Sequence, residues 1–156
     1  MARFVVQQHD ATTLHFDFRI ESGGVLRSWA VPKGPSMDPA VKRLAMEVED
    51  HSLAAGEFEG VHEGSARGTG AVIVWDEGER ELVTEEPDHL VVRLSGSKLR
   101  GGFALTRTDG RRWILVKMRD EDARPGSDVV AEAPASARSG RTWQEVADGK
   151  RSRTSR

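Results

Sequence analysis

In the run from Leu14 to Ile20, His15, Asp17 and Arg19 alternate with Leu14, Phe16, Phe18 and Ile20. A period of two predicts a strand with an apolar core face and a second face carrying an imidazole, a carboxylate and a guanidinium. Side chains two apart on a strand stand about 6.5 to 7 Å apart at their bases, close enough for His15 and Asp17 to share one cation through bonds of about 2.0 to 2.2 Å. His9 ends the preceding run, and Asp10-Ala11-Thr12-Thr13 allows a tight connection that returns His9 beside His15. Two histidines and one carboxylate would then hold a divalent cation with positions left open for water or substrate. Arg19, next on the same face, offers a planar fork of donors suited to phosphate oxygens.

A second run, Arg43 to His51, has the same parity. Leu44, Met46 and Val48 are expected on a core face, and Arg43, Glu47, Glu49 and His51 on the other. From there His51 can donate to a phosphate oxygen or protonate a leaving group, and Glu49 can orient a neighbouring Arg or His. A polar strand face is more often simply solvated, so parity alone does not establish a site. His62 and His89 fall in a loop and a turn and read as exposed. Trp29, Trp75 and Trp113 lie in strand patterns and read as core rather than as base-stacking platforms.

The elements that must position these groups are short alternating runs: Arg3 to Gln8, Leu14 to Ile20, Leu26 to Val31, Arg43 to Asp50, Ala71 to Trp75, Glu81 to Thr84, Leu90 to Leu94, Phe103 to Arg107 and Trp113 to Met118. Turn signals separate them at Ser22-Gly23-Gly24, Asp76-Glu77-Gly78, Glu86-Pro87-Asp88, Ser95-Gly96-Ser97 and Thr108-Asp109-Gly110. Such spacing predicts a mainly β, antiparallel sandwich or barrel. Gly56 to Gly70 is glycine-rich and reads as a loop beside the sheet that matches no phosphate-loop motif. After Asp120, Pro125, Gly126 and Ala131 to Ala137 resemble a linker, and Lys150 to Arg156 form a basic tail that either aids solubility or touches DNA. Thr142 and Glu145 fit a capping box that opens one short helix.

At 156 residues the chain suits one principal core, with a domain over 1–120 and a linker and tail over 121–156. No apolar run approaches the roughly 20 residues of a membrane span, and no export signal is visible at the start. With no cysteine, any cation must be held by imidazole and carboxylate. Cytoplasmic residence is the simpler reading. A net charge of -2 argues against coating nucleic acid by bulk electrostatics and leaves room for a local basic site.

The string Arg3-Phe4-Val5-Val6-Gln7-Gln8-His9 through Leu14-His15-Phe16-Asp17-Phe18-Arg19, followed by Trp29-Ala30-Val31-Pro32-Lys33-Gly34-Pro35-Ser36, strongly resembles the 3′-phosphoesterase domain of bacterial DNA ligase D. Arg43-Leu44-Ala45, Val48-Glu49-Asp50-His51, Phe58-Glu59-Gly60 and Val72-Ile73-Val74-Trp75-Asp76-Glu77-Gly78 extend the match, which runs to about Asp120. The resemblance implies a single compact antiparallel β-barrel with short flanking helices. It implies an enzyme that uses a divalent cation, Mn2+ first and Zn2+ or Co2+ as alternatives, to remove 3′-terminal ribonucleosides and 3′-phosphates from DNA ends. Position by position, His9, His15 and Asp17 match metal ligands, and Arg19 and His51 match phosphate-contacting catalytic residues. Lys33, Arg43 and Glu49 match supporting active-site positions.

The implied partners are primer-template or duplex 3′ ends, some with terminal ribonucleotides, and a separately supplied ligase or polymerase of end joining. The chain is read as a standalone monomer with no membrane association. It departs from the family where a tyrosine is usual: Ala55 stands there, and the chain has no tyrosine. Losing a phenolic donor to a charged partner costs about 1.5 to 3 kcal/mol, which predicts lowered rather than lost activity, with His62 or Arg67 as candidate substitutes. Asp10, Glu47 and Glu49 are candidates to orient the attacking water. Two other classes stay open, a weak or inactive 3′-end-binding module and a phosphoesterase of small molecules.

Overall fold

A computed structural model describes residues 2–62 and 68–154. In order it has β1 Arg3–Asp10, β2 Leu14–Ser22, β3 Val25–Val31, β4 Arg43–His51, a 3-10 turn Leu53–Glu57, a two-residue β5 Gly60–Val61 and β6 Ala71–Glu86. There follow β7 His89–Gly96, β8 Arg100–Asp109, β9 Arg112–Lys117, α1 Val129–Glu132 and α2 Trp143–Thr154. The strands pair antiparallel in the order β1-β2-β3-β4-β9-β8-β7-β6, and β6 also pairs with β1. Eight strands thereby close a barrel, with β5 joined to β6. Of the two architectures open to the strand pattern, closure selects the barrel. Among the described residues no helix is long and apolar enough to cross a membrane.

Closure depends on β6, which replaces two expected strands and the turn between them. Asp76-Glu77-Gly78 continues the strand, because the Asp76 carboxylate is buried and accepts the N–H groups of Ser97, Lys98 and Leu99 at 2.8–3.1 Å. A Cβ on Gly78 would lie 2.1 Å from Ser95 O, so glycine serves close approach of β7 here rather than a turn. A register shift at Val6/Gln7 bends the pair, and the long strand reaches β1 with one part and β7 with the other.

Phe4, Val6, Phe16, Phe18 and Ile20 point into the barrel with Trp29, Trp75 and Trp113. Trp29 and Trp113 meet edge to face with centroids 5.6 Å apart. The other face of the first strands carries a small separate cluster, Val5, Leu26 and Val74.

The parity expected of β4 is reversed. Ala45 is the buried residue and Leu44 is 40% exposed. Glu47 accepts hydrogen bonds from Arg27 Nε at 2.7 Å and Trp113 Nε1 at 3.1 Å. Met46 pairs with Ala30 and Val48 with Ser28, which places them on the outer face with Arg19. The apolar triplet misled because both faces of β4 are partly covered.

Beyond Asp120 the chain lies along the barrel. Ala137 N–H donates to Val74 O at 2.9 Å, Trp75 Nε1 donates to Ala133 O at 2.8 Å, and Val129 and Val146 join the core. The capping box forms: Glu145 N–H donates to Thr142 Oγ1 at 3.2 Å, and Thr142 N–H donates to Glu145 Oε1 at 3.0 Å. Arg67 and the last two residues of the basic tail, 155–156, lie outside the described residues.

Candidate metal and phosphate site

The three-residue connection after Asp10 folds β1 onto β2 so that His9 pairs with His15 and Gln7 with Asp17. Directly opposed residues share a face, so the hairpin sets both imidazoles and the carboxylate on the outside of the barrel. One potential ligand atom from each of His9, His15 and Asp17 lies within 4.8 Å of the others. The two imidazole centroids are 5.3 Å apart. His15 Nδ1 sits 3.0 Å from Thr13 O. A carbonyl only accepts, so a proton belongs on Nδ1, which leaves Nε2 on the side of Asp17, whose Oδ1 is 3.3 Å away. An imidazole fixed through its second nitrogen is the usual support of a metal ligand. Two nitrogens and one carboxylate oxygen make a mixed donor set that fits a divalent cation, the imidazoles suiting Zn2+ and the carboxylate suiting Mn2+.

Electrostatics favour the ligand form at His9 and Asp17 and the protonated form at His15. Burial lowers the His9 pKa, helped by His15, His62 and Arg19 and opposed by Asp17, which favours the neutral ring. The hydrogen bond to Asp17 raises His15 against burial. Burial pushes Asp17 upward, but the His15 hydrogen bond together with Arg19 and both histidines outweighs it and holds the carboxyl below its ordinary value.

Arg19 is 7% exposed and built into a frame. Its Nε donates to Gln7 Oε1 at 2.7 Å, Nη1 to Ser28 Oγ at 2.9 Å and Nη2 to Asp17 Oδ2 at 3.4 Å. Gln7 in turn donates to Ala55 O at 3.0 Å and Phe58 O at 2.9 Å. Among the described residues this leaves guanidinium donors over for a phosphate oxygen.

His51 reaches the same face through a bulge. Val48 pairs with Ser28 and His51 with Leu26, so Glu49 and Asp50 stand together opposite Arg27. That extra residue moves an odd-numbered side chain onto the face of Met46 and Val48. A cavity of about 560 Å³ results, with Gln7, His9, Asp17, Arg19 and His51 as its polar lining. Ala54, Ala55, Phe58, His62 and Val72 complete it. His51 Nδ1 is buried and has no hydrogen-bond partner among the described residues.

The remaining site expectations separate from this cavity. Lys33 and Arg43 line a second pocket of about 260 Å³ with Pro32, Lys42 and Leu44, and Arg43 Nε donates to Gly34 O at 2.9 Å. Glu49 is exposed and does not line the cavity. His62 is exposed as expected, yet it stacks on Phe58 with centroids 4.3 Å apart and lies 5.6 Å from His9. Sequence reasoning passed over Gln7, Ser28 and Phe58, and named His62 only as a substitute for the absent tyrosine. Gln7 shares the parity of His9 and was legible on that ground, whereas Ser28 needs the β2–β3 register and His62 the course of a loop.

A family model for the DNA Ligase D 3′-phosphoesterase domain matches residues 7–107. The chain belongs to this family. Every residue of the cavity lies inside the matched segment. The multifunctional non-homologous end joining protein LigD of Pseudomonas aeruginosa is 48% identical, over 91% of this chain. The non-homologous end joining DNA repair protein LigD of Mycobacterium tuberculosis is 40% identical over 76%, and LigD of Mycolicibacterium smegmatis 38% over 79%. The chain spans 18%, 16% and 18% of the lengths of these three proteins.

Proposed function

We propose that this 3′-phosphoesterase domain is a divalent-metal-dependent enzyme that processes DNA 3′ ends in end joining, removing 3′-phosphates and 3′-terminal ribonucleosides to leave 3′-hydroxyls. One observation carries the reading: the His9, His15 and Asp17 ligand atoms converge beside a cavity that is also lined by a framed arginine and the His51 imidazole. Family membership and the end-joining names of the relatives support this substrate class and setting.

His9, His15 and Asp17 would hold the cation, Mn2+ first, with Zn2+ and Co2+ as alternatives the same donors accept. Bound there, it would act as Lewis acid toward a phosphate oxygen. Arg19 supplies donors to the non-bridging oxygens, and Gln7 and Ser28 prevent it from turning away. His51 donates to the charge that develops as water attacks. The apolar lining at Ala54, Ala55, Phe58 and Val72 receives the terminal sugar and base. Lys33 and Arg43, in their own pocket, meet a phosphate other than the terminal one. None of Asp10, Glu47 and Glu49 lines the cavity. Asp10 Oδ2 accepts from Thr69 N and Oγ1, and Glu47 is engaged by Arg27 and Trp113. The proposed reaction therefore assigns the water's proton to none of these three.

The deciding assay uses primer-templates ending in a 3′-phosphate or a single ribonucleotide, with Mn2+, Zn2+, Co2+ and Mg2+ compared. Metal-dependent release of phosphate or nucleoside is expected. Binding of these ends without turnover in any metal would leave only an end-binding module. Preference for small phosphate monoesters over duplex ends would move the substrate class.

A further inference from the structure

The cavity wall formed by Ala54, Ala55 and Phe58 rests on the turn Leu53–Glu57, in which Gly56 alone is buried. So small an element has little packing of its own and must be held from outside. From the barrel side Gln7 grips it through Ala55 O and Phe58 O. From the far side it is gripped by a segment some eighty residues later in the chain, beyond residues 7–107 matched by the family model.

Arg138 Nη1 donates to Glu57 O at 3.0 Å, and Nη2 donates to Glu57 Oε2 at 2.6 Å. The same guanidinium binds both Glu77 carboxylate oxygens at 2.6 and 2.7 Å, and Glu77 belongs to the barrel strand β6. Arg3 also reaches Glu57 and Glu77. Two residues earlier, buried Ser136 donates from Oγ to Glu59 Oε1 at 2.6 Å, and that oxygen also accepts Val74 N–H at 2.8 Å. Phe58, whose ring stacks on His62, is thus bracketed by two carboxylates that the strap 136–138 holds. The contacts continue inward: Glu57 fixes the turn, the turn's Ala55 carbonyl fixes Gln7, and Gln7 fixes Arg19.

We propose that the 136–138 strap is a positioning device for the substrate wall, with Arg138 as its principal residue, acting through Glu57 on Ala55 and Phe58 and through Gln7 on Arg19. The inference rests on the phosphoesterase reading for its catalytic consequence but not for its structural one. Planar bidentate contact is what an arginine supplies and a lysine does not, so the conservative variant restores the charge and only part of the geometry.

The test measures hydrogen exchange at residues 53–58, Mn2+ affinity and steady-state kinetics on a 3′-phosphorylated primer-template, for the wild type, Arg138→Ala, Arg138→Lys and Glu57→Gln. Arg93→Ala, which removes an exposed ion pair to Glu81, controls for general destabilisation. Arg138→Ala is expected to speed exchange in 53–58 by roughly tenfold or more and to raise KM several-fold with Mn2+ affinity unchanged. Arg138→Lys should lie between it and the wild type, and Arg93→Ala should change neither. Exchange in 53–58 that stays at the wild-type rate in Arg138→Ala and Glu57→Gln overturns the proposal, as does an equal KM change in Arg93→Ala. If Arg138→Ala does not fold, Arg138→Lys and Glu57→Gln decide by the same readouts. A wild type with no turnover on any phosphate ester defeats the phosphoesterase reading, while the exchange measurement still decides the strap.

Discussion

On the inner face of the β1–β2 hairpin, Phe4, Val6, Phe16, Phe18 and Ile20 are buried among apolar neighbours. On its outer face Gln7, Asp17 and Arg19 are buried almost as fully, but against one another. The inner group gains from leaving water, at about 25 cal/mol per Å² of apolar surface, with little demand on direction. The outer group gives up hydration and recovers it only where each donor meets an acceptor at the right angle. One face therefore specifies the fold and the other is held in place by it. Burial of a charged strand face, rather than its composition, is what separates a framed site from an ordinary solvated surface.

The sharpest way to separate the faces is to remove a ligand. His9→Ala, His15→Ala and Asp17→Ala are each expected to abolish Mn2+ binding in a calorimetric titration and to lower 3′-phosphate release by at least about 10³-fold. All three should still unfold cooperatively. Wild-type turnover in the three variants would break the metal assignment.

The converse change is Phe18→Ala, expected to cost about 3 to 5 kcal/mol in urea denaturation. Mn2+ affinity of the molecules that remain folded should be retained. A parallel loss of affinity would show that the two faces are coupled rather than layered.

The bulge in β4 gives a third contrast, since it alone brings His51 to the outer face. His51→Ala should lower turnover by about 10²-fold with Mn2+ affinity unchanged. Deleting Asp50 removes the bulge but leaves His51 two residues after Val48 and opposite Leu26, so turnover should be largely retained. A loss in the deletion as large as in His51→Ala would mean that β4 register does not place His51.

The smallest effect concerns a charge on the barrel wall. Burial, partly offset by Asp76, lowers Lys98 from 10.5 to about 8, with its ammonium 4.4 Å from the Trp75 ring centroid. Between pH about 8 and 10.5 the unfolded chain binds more protons at this group than the folded one, so its contribution makes stability rise with pH across that window. Partial exposure keeps the rise small. Lys98→Met should flatten it in urea midpoints measured from pH 8 to 10, and an identical slope in both proteins would remove Lys98 as the cause.

The sequence alone determined the antiparallel β class, the inward Phe and Trp residues, the capping box at Thr142 and the pairing of His9 with His15. Each follows from local rules: the alternation of a strand, the hydroxyl and carboxylate of a cap, and a connection too short to permit another register. Tertiary structure decided the rest. The choice of barrel over sandwich required β6 to run through Asp76-Glu77-Gly78, where distant β7–β8 backbone amides satisfy the carboxylate that read locally as a turn. Arg43 and His51 came to opposite faces because the strand between them is bulged, and Gln7, Ser28 and Phe58 joined the cavity through partners up to 51 residues away. Period and turn chemistry are written in neighbouring residues. Which polar face becomes buried, and what it then meets, depends on contacts that exist only once the barrel has closed.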